Sequence, residues 1–269
     1  MVEFAPYTDT TLYPIFDINQ VPGCSAFCLG FIVADASQRP AWGGYHRVDG
    51  DYYKPVIELA QQKGKKLVAS FGGAAGKELA LVTKTGKDLF LKYKSVIDKY
   101  KFSSIDFDIE GQAIKDVKAS KIRQEAILEL QKVYPNLEIS LTIPVMPSGV
   151  EKNYLDLVEL TPCSIVNLMC MDYGSEKEMG KASISAAKAA RKQTGKNIGM
   201  TVMIGKNDTG EVFTLKDAEM VAAFAKENDW VKRTSIWSVN RDQGVVGKME
   251  ISSGIVQEKY AFCKIFNKK

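Results

Sequence analysis

The chain has 269 residues, 45% hydrophobic and 25% charged, which suits a globular fold and excludes a disordered or collagen-like one. Its net charge of +4 comes from scattered lysines, so no basic face for nucleic acid is expected. His46 is the only histidine, which leaves little room for triads or multi-histidine metal sites and hands the chemistry to carboxylates.

Further limits come from the cysteines and the termini. Cys24, Cys28, Cys163, Cys170 and Cys263 are odd in number and irregularly spaced, so neither a disulfide framework nor a zinc motif is expected. Cys170, inside an apolar run, reads as a buried thiol. No run approaches the ~20 apolar residues of a membrane span, and Met1-Val2-Glu3-Phe4 opens without a charged leader. Neither a membrane association nor an organic cofactor or metal is expected.

In chain order, short β-rich runs alternate with helical stretches. The strand segments are Glu3–Pro6, Ala26–Ala34, Lys66–Phe71, Ser104–Ile109, Glu138–Val145, Ile165–Met171, Ile198–Ile204 and Ser235–Val239. Between them, Tyr52–Lys63 ends at a plausible glycine cap, Gly64, and Lys87–Tyr100 follows. Ser120–Val133 carries Ile122, Ala126, Ile127 and Leu130 at spacings of three and four and stops before Pro135. Asn153–Leu160, Ser183–Thr194, Leu215–Glu227 (after the N-cap Thr214) and Ile255–Phe266 complete the helices. Eight strands alternating with helices in this length predict one α/β domain over residues 1–269, a (β/α)8 TIM barrel, ahead of a doubly wound sheet.

In such a barrel, function collects at the C-terminal ends of the strands. Those ends supply Tyr7, Asp9, Gly72, Gly73, Asp108, Glu110, Met146, Asp172, Tyr173, Trp237 and Asn240, a polar and aromatic set suited to sugar. The most telling stretch is Ser104-Ile105-Asp106-Phe107-Asp108-Ile109-Glu110-Gly111. Alternation puts Asp106, Asp108 and Glu110 on one face and Ile105, Phe107 and Ile109 on the other. Three acids on one buried face repel, so at least one keeps its proton near neutral pH. Glu110, nearest the mouth, is the natural proton donor, as glycosidic cleavage requires. A magnesium site is the competing reading of Asp-x-Asp-x-Glu, but no phosphate-binding loop accompanies it.

Phe102–Gly111 resembles the DxxDxDxE signature of the family 18 glycosidases, with Ser103 in place of its first aspartate. Ser70-Phe71-Gly72-Gly73 is similar to the family's SxGG motif, and Ser235-Ile236-Trp237-Ser238 to its last strand. Asn167-Leu168-Met169-Cys170-Met171-Asp172-Tyr173-Gly174 resembles the sixth-strand motif, commonly Met-x-Tyr-Asp, with the tyrosine displaced by one position. Phe4-Ala5-Pro6-Tyr7 and Trp42-Gly43-Gly44 are similar to compact bacterial and archaeal chitinase domains. The resemblance implies retaining, substrate-assisted hydrolysis of β-1,4 bonds in chitin or N-acetylglucosamine oligosaccharides by a secreted monomer. Glu110 would be the acid and base, Asp108 would orient the acetamido group, and Asp106 would hold the partner proton. Tyr173 or Asp172 would fix the acetamide over Trp237, with Tyr7, Gly73, Met169, Met171 and Trp42 as further substrate contacts and Tyr45 as another sugar platform. An endo-β-N-acetylglucosaminidase acting on N-glycans and a non-catalytic chitin-binding lectin are the alternatives.

Overall fold

The computed structural model describes residues 2–244 and 247–268. Eight parallel staves form one sheet: β1 (split into Glu3–Phe4 and Tyr7–Asp9), β2 (Ala26–Ala34), β3 (Lys66–Gly72) and β4 (Ser104–Asp108) make the first half. The second half is β5 (Glu138–Pro144), β6 (Ile165–Cys170), β7 (Asn197–Met203) and β8 (Val231–Trp237). The split first stave closes the sheet on itself. Glu3–Phe4 pairs in parallel with β8, and Tyr7–Asp9 pairs in parallel with β2. Across the break, the Ala5 amide donates to the Thr234 carbonyl at 3.0 Å and the Cys28 amide to the Pro6 carbonyl at 2.9 Å. The expected (β/α)8 barrel is therefore the observed architecture.

Helices α1 (Lys54–Gln62), α2 (Gly86–Tyr100), α3 (Gln112–Lys115), α4 (Val117–Val133), α5 (Lys152–Leu160), α6 (Met179–Thr194), α7 (Leu215–Glu227) and α8 (Ala261–Phe266) accompany the staves. Their apolar stripes meet the outward strand residues: Ile122, Ala126, Ile127 and Leu130 of α4 are buried in the same core as Ile105, Phe107 and Ile109. The cap of α7 forms as its sequence suggests, with Thr214 and Asp217 in a reciprocal capping box.

Of the boundaries that depart from expectation, those of α4, α8 and β8 have a visible cause. Helix α4 begins earlier, at Val117, because the Asp116 carboxylate accepts from the Ala119 amide. Helix α8 begins later than Ile255, because the buried Asp242 carboxylate caps it, accepting from the Phe262 and Cys263 amides at 3.3 and 2.8 Å. Stave β8 starts at Val231 rather than Ser235 and ends at Trp237, after which residues 239–241 turn into a 3-10 helix. Its N-terminal half carries Lys232 and Arg233, which masks the strand signal, yet Arg233 is buried. Under the barrel, Arg233 pairs with Glu3 at 2.9 Å and with Glu138, while Lys66 reaches the same two carboxylates at 2.9 and 3.0 Å. This ion cluster ties β1, β3, β5 and β8 together at their N-terminal ends.

The contact that sets the height of the acid-bearing strand β4 lies between β3 and β4. The Gly73 amide donates to the Asp108 carbonyl at 2.9 Å. Gly72, at φ +107°, passes so close that a Cβ there would lie 1.9 Å from that carbonyl oxygen. Gly72→Ala is expected to cost about 3 kcal/mol in urea unfolding, combining left-handed strain with a clash that must move β4. Gly64→Ala, at φ +70° with open space around it, costs only about 1 kcal/mol in the same assay.

Candidate active site

A cavity of about 420 Å³ opens at the C-terminal end of the staves. Tyr7, Asp108, Glu110, Met146, Met169, Met171, Asp172 and Trp237 line it, so eight of the residues singled out in the sequence converge there. Phe31, Thr142, Thr201, Met203 and Asp208 complete much of the wall.

The acids form a graded column. Asp106, lowest and fully buried, accepts from four hydroxyls: Tyr7 (3.0 Å) and Ser70 (2.6 Å) at Oδ2, and Ser140 (2.6 Å) and Thr142 (2.8 Å) at Oδ1. Four donors match the four acceptor sites of an ionised carboxylate. Asp108, one step higher and also buried, has no partner for Oδ1. Burial first, then the charges of Glu110 and Asp106, push its carboxyl well above the usual range. Glu110 at the mouth is half-buried, and its carboxyl is raised by burial and by Asp172 across the cleft. Two of the three acids thus hold protons more tightly than a free carboxyl, in a solvent-reachable cleft.

Asp172 takes a positive φ of +59° just past β6. A hairpin loop after β7, residues 205–213, holds it there: the Asp172 amide donates to Asn207 Oδ1 at 3.1 Å, and the Asp208 amide donates to Asp172 Oδ1 at 2.9 Å. The loop also fixes the next residue, because the Tyr173 amide donates to Glu211 Oε1 at 2.5 Å. Burial and the neighbouring Asp208 charge raise the Asp172 carboxyl.

Four of the expected contact residues are placed as follows. Tyr173 is buried away from the cavity, its hydroxyl beside the Cys170 thiol and its ring outside the lining, so Asp172 alone of the two faces the cleft. Trp42 is fully buried against Tyr53, with ring centroids 5.8 Å apart, because its short strand pairs with β2 and turns the indole into the core. Gly73 lies behind Phe31, whose ring would sit 2.6 Å from a Cβ there, outside the cavity lining, and its amide holds the Asp108 carbonyl. Tyr7 does reach the cavity, but it is 98% buried and its hydroxyl belongs to Asp106. Of the loop residues, Tyr45 is exposed outside the lining, and His46 stacks on Tyr52 with centroids 3.5 Å apart.

The apolar floor is Trp237, stacked on Phe31 at 5.5 Å and edge-on to Tyr7 at 6.1 Å. Phe31, Asp208, Ser140 and Thr142 were not singled out in the sequence. The last two were visible in principle, since Ser140 and Thr142 alternate with Ile139, Leu141 and Ile143 as the acids of β4 do. Asp208 lies in the turn Asn207-Asp208-Thr209-Gly210, which carries only a turn signal. Among the described residues, no group of three or more His, Cys, Asp or Glu side chains is arranged to hold a metal ion.

This arrangement has counterparts among known proteins. The family model for glycosyl hydrolases family 18 matches residues 3–263. The chain belongs to glycosyl hydrolase family 18. Among solved structures, the catalytic domain of a hyperthermophilic chitinase from Pyrococcus furiosus superposes with a TM-score of 0.87 at 26% identity, covering 98% of this chain and 93% of that one. Among curated sequences, a probable bifunctional chitinase/lysozyme of Escherichia coli (strain K12) is 28% identical over 98% of this chain, and Endochitinase 11 of Metarhizium anisopliae 27% over 89%. The matches span 34% of the bacterial relative and 52% of the fungal one, so this family 18 chain covers only part of their length.

The raised carboxyl of Asp108 has a consequence for stability. The unfolded chain ionises this group in the ordinary carboxylate range while the folded protein keeps the proton, so the penalty grows as pH rises above that range. Asp108→Asn is therefore expected to raise Tm, and by more at pH 8 than at pH 4, with each kcal/mol gained appearing as about 2–4 °C. Thermal melts across that range check it, and a pH-independent difference would contradict the burial of an acid.

Proposed function

We propose that this protein hydrolyses β-1,4 bonds between N-acetylglucosamine units, in chitin or chitooligosaccharides, with retention and with the substrate's own acetamido group as nucleophile. The observation that carries the reading is the acid column: a raised Glu110 at the mouth above a buried Asp108 whose Oδ1 has no partner. A mechanism with an enzymic nucleophile would need a second carboxylate facing the anomeric carbon. Asp108 is instead sunk beside Glu110 with a free acceptor, which suits an acetamido N–H. Family membership and the named chitinase relatives support the same substrate.

In this reading a sugar lies on Trp237, with its acetamido group turned down toward Asp108. Glu110 passes its proton to the glycosidic oxygen as the bond to the anomeric carbon breaks. The acetamido oxygen closes on that carbon and forms an oxazolinium ion. Asp108 Oδ1 accepts the acetamido N–H, and the single negative charge shared by Asp106 and Asp108 offsets the positive charge on the ring. Glu110, now ionised, takes a proton from a water whose oxygen attacks the anomeric carbon; the bond from that carbon to the acetamido oxygen breaks, the acetamide is restored, and the β-anomer is released. The four donors around Asp106 support a resting proton on Asp108 in this reading, in place of the expected Asp106. Asp172, rather than Tyr173, faces the acetamide from the wall.

Two outcomes test this. Glu110→Gln is expected to lower kcat on chitotetraose by about 10²–10⁴-fold, with wild type giving the β-anomer first by NMR. Inversion, or a fully active variant, would overturn the mechanism, and an inert wild type that still binds the oligomer would favour the lectin. Tyr173→Phe should leave kcat/KM within about twofold, whereas Asp172→Ala should lower it by roughly tenfold or more, the loss of one hydrogen bond to the transition state.

A further inference from the structure

Inside the barrel, under the acids, lies a polar layer that the mechanism above leaves unexplained. Asn167 on β6 is 99% buried. Its amide nitrogen lies 2.8 Å from Thr201 Oγ1, 3.0 Å from Thr142 Oγ1 and 3.3 Å from the Tyr7 hydroxyl oxygen. Its carbonyl oxygen accepts from Thr201 at 3.0 Å. Tyr7 and Thr142 are 3.0 Å apart, and either can donate to the other.

Each hydroxyl has one hydrogen, and Tyr7 and Thr142 each have two acceptors within reach: the other hydroxyl, or Asp106. The Asn167 nitrogen has two hydrogens for three oxygens and no acceptor to offer, so it donates into this cluster. A hydroxyl that accepts at its oxygen donates more strongly, so the amide strengthens the donation of Thr142 and Tyr7 to Asp106. Thr201 fixes the direction of the amide, since its hydroxyl donates to the Asn167 carbonyl.

We infer that Asn167 is a positioning residue for the reaction: through Tyr7 and Thr142 it strengthens two of the four hydrogen bonds to Asp106 and so confines the pair's proton to Asp108. The inference rests on the reading of Asp106 and Asp108 as a pair with one proton. Every stave contributes to what Asp106 meets. Tyr7 comes from β1, Cys28 from β2, Ser70 from β3, Asp108 from β4, and Ser140 and Thr142 from β5. Asn167 from β6 and Thr201 from β7 act behind them, Arg233 from β8 donates to Ser140 at 3.2 Å, and the Cys163 thiol precedes β6. Of these, Arg233 is the one cation, and it sits below Ser140 rather than at Asp106 itself.

Without the amide, the Tyr7 and Thr142 hydrogen bonds to Asp106 weaken, and the negative charge of the Asp106–Asp108 pair is less well held. The pair then takes up its second proton at higher pH, and its negative charge is lost. The expected result for Asn167→Leu is that the acid limb of the kcat/KM profile on chitotetraose moves up by about half to one pH unit, with the plateau within about threefold and KM little changed. Thr201→Val, which frees the amide to turn over, gives a smaller shift in the same direction and serves if Asn167→Leu does not fold. Carboxyl-carbon NMR titration of Asp106 and Asp108 in the free protein reads the same shift without substrate. If wild type cleaves no chitooligosaccharide, the proposed activity fails and this titration still decides the role of Asn167. An unmoved acid limb or titration, or a loss of activity equal at every pH, would overturn the inference.

Discussion

Three carboxyls along one strand, buried inside a closed barrel, repel one another, and much of the interior is arranged around that repulsion. Asp106 is made tolerable by four hydroxyls from three different staves, and Asp108 by keeping its proton. Glu110 is left partly in solvent, with the Asp172 charge bearing on it from across the cleft. The gradient from a fully satisfied acid to a solvent-reachable one defines the candidate site. It exists because β4 supplies alternate positions and its neighbours supply small hydroxyl residues at matching heights: Ser70 pairs with Asp106 in the β3 register, and Ser140 in that of β5.

That dependence explains why so much backbone effort is spent near Asp108. Gly72 lets β3 come within van der Waals reach of the Asp108 carbonyl, and the Gly73 amide holds it. An error of one residue in this register would send Ile or Phe inward and the acids into the helix layer. The ion cluster of Arg233, Glu3, Glu138 and Lys66 fixes the opposite end of the same strands. Together the two ends leave the acid column little freedom to slide.

The barrel and the acid face were legible in the sequence because both rest on periodicity: alternation in β4, and apolar spacings of three and four in α4. Stave β8 was legible only from Ser235, since burial of Arg233 depends on carboxylates far away in the chain, Glu3 and Glu138. The same limit applied to the wall of the cleft. Trp42 and Tyr173 carry aromatic rings near the right strand ends, but which way each turns is set by a short hairpin on β2 and by the loop holding Asp172. Asp208 came from a turn whose composition says nothing about where it docks.

The cleft wall also contains thioethers: Met146, Met169, Met171 and Met203 line it, and Met146 is substantially exposed. Such side chains shape themselves to a sugar face without the fixed geometry of a ring. They are also the part of the site most open to peroxide. A sulfoxide at any of them would place a polar oxygen on an apolar surface, beside a carboxylate cluster already short of donors. Catalytic life under oxidising conditions is thereby tied to sulfur chemistry, in a reaction that itself involves no redox step.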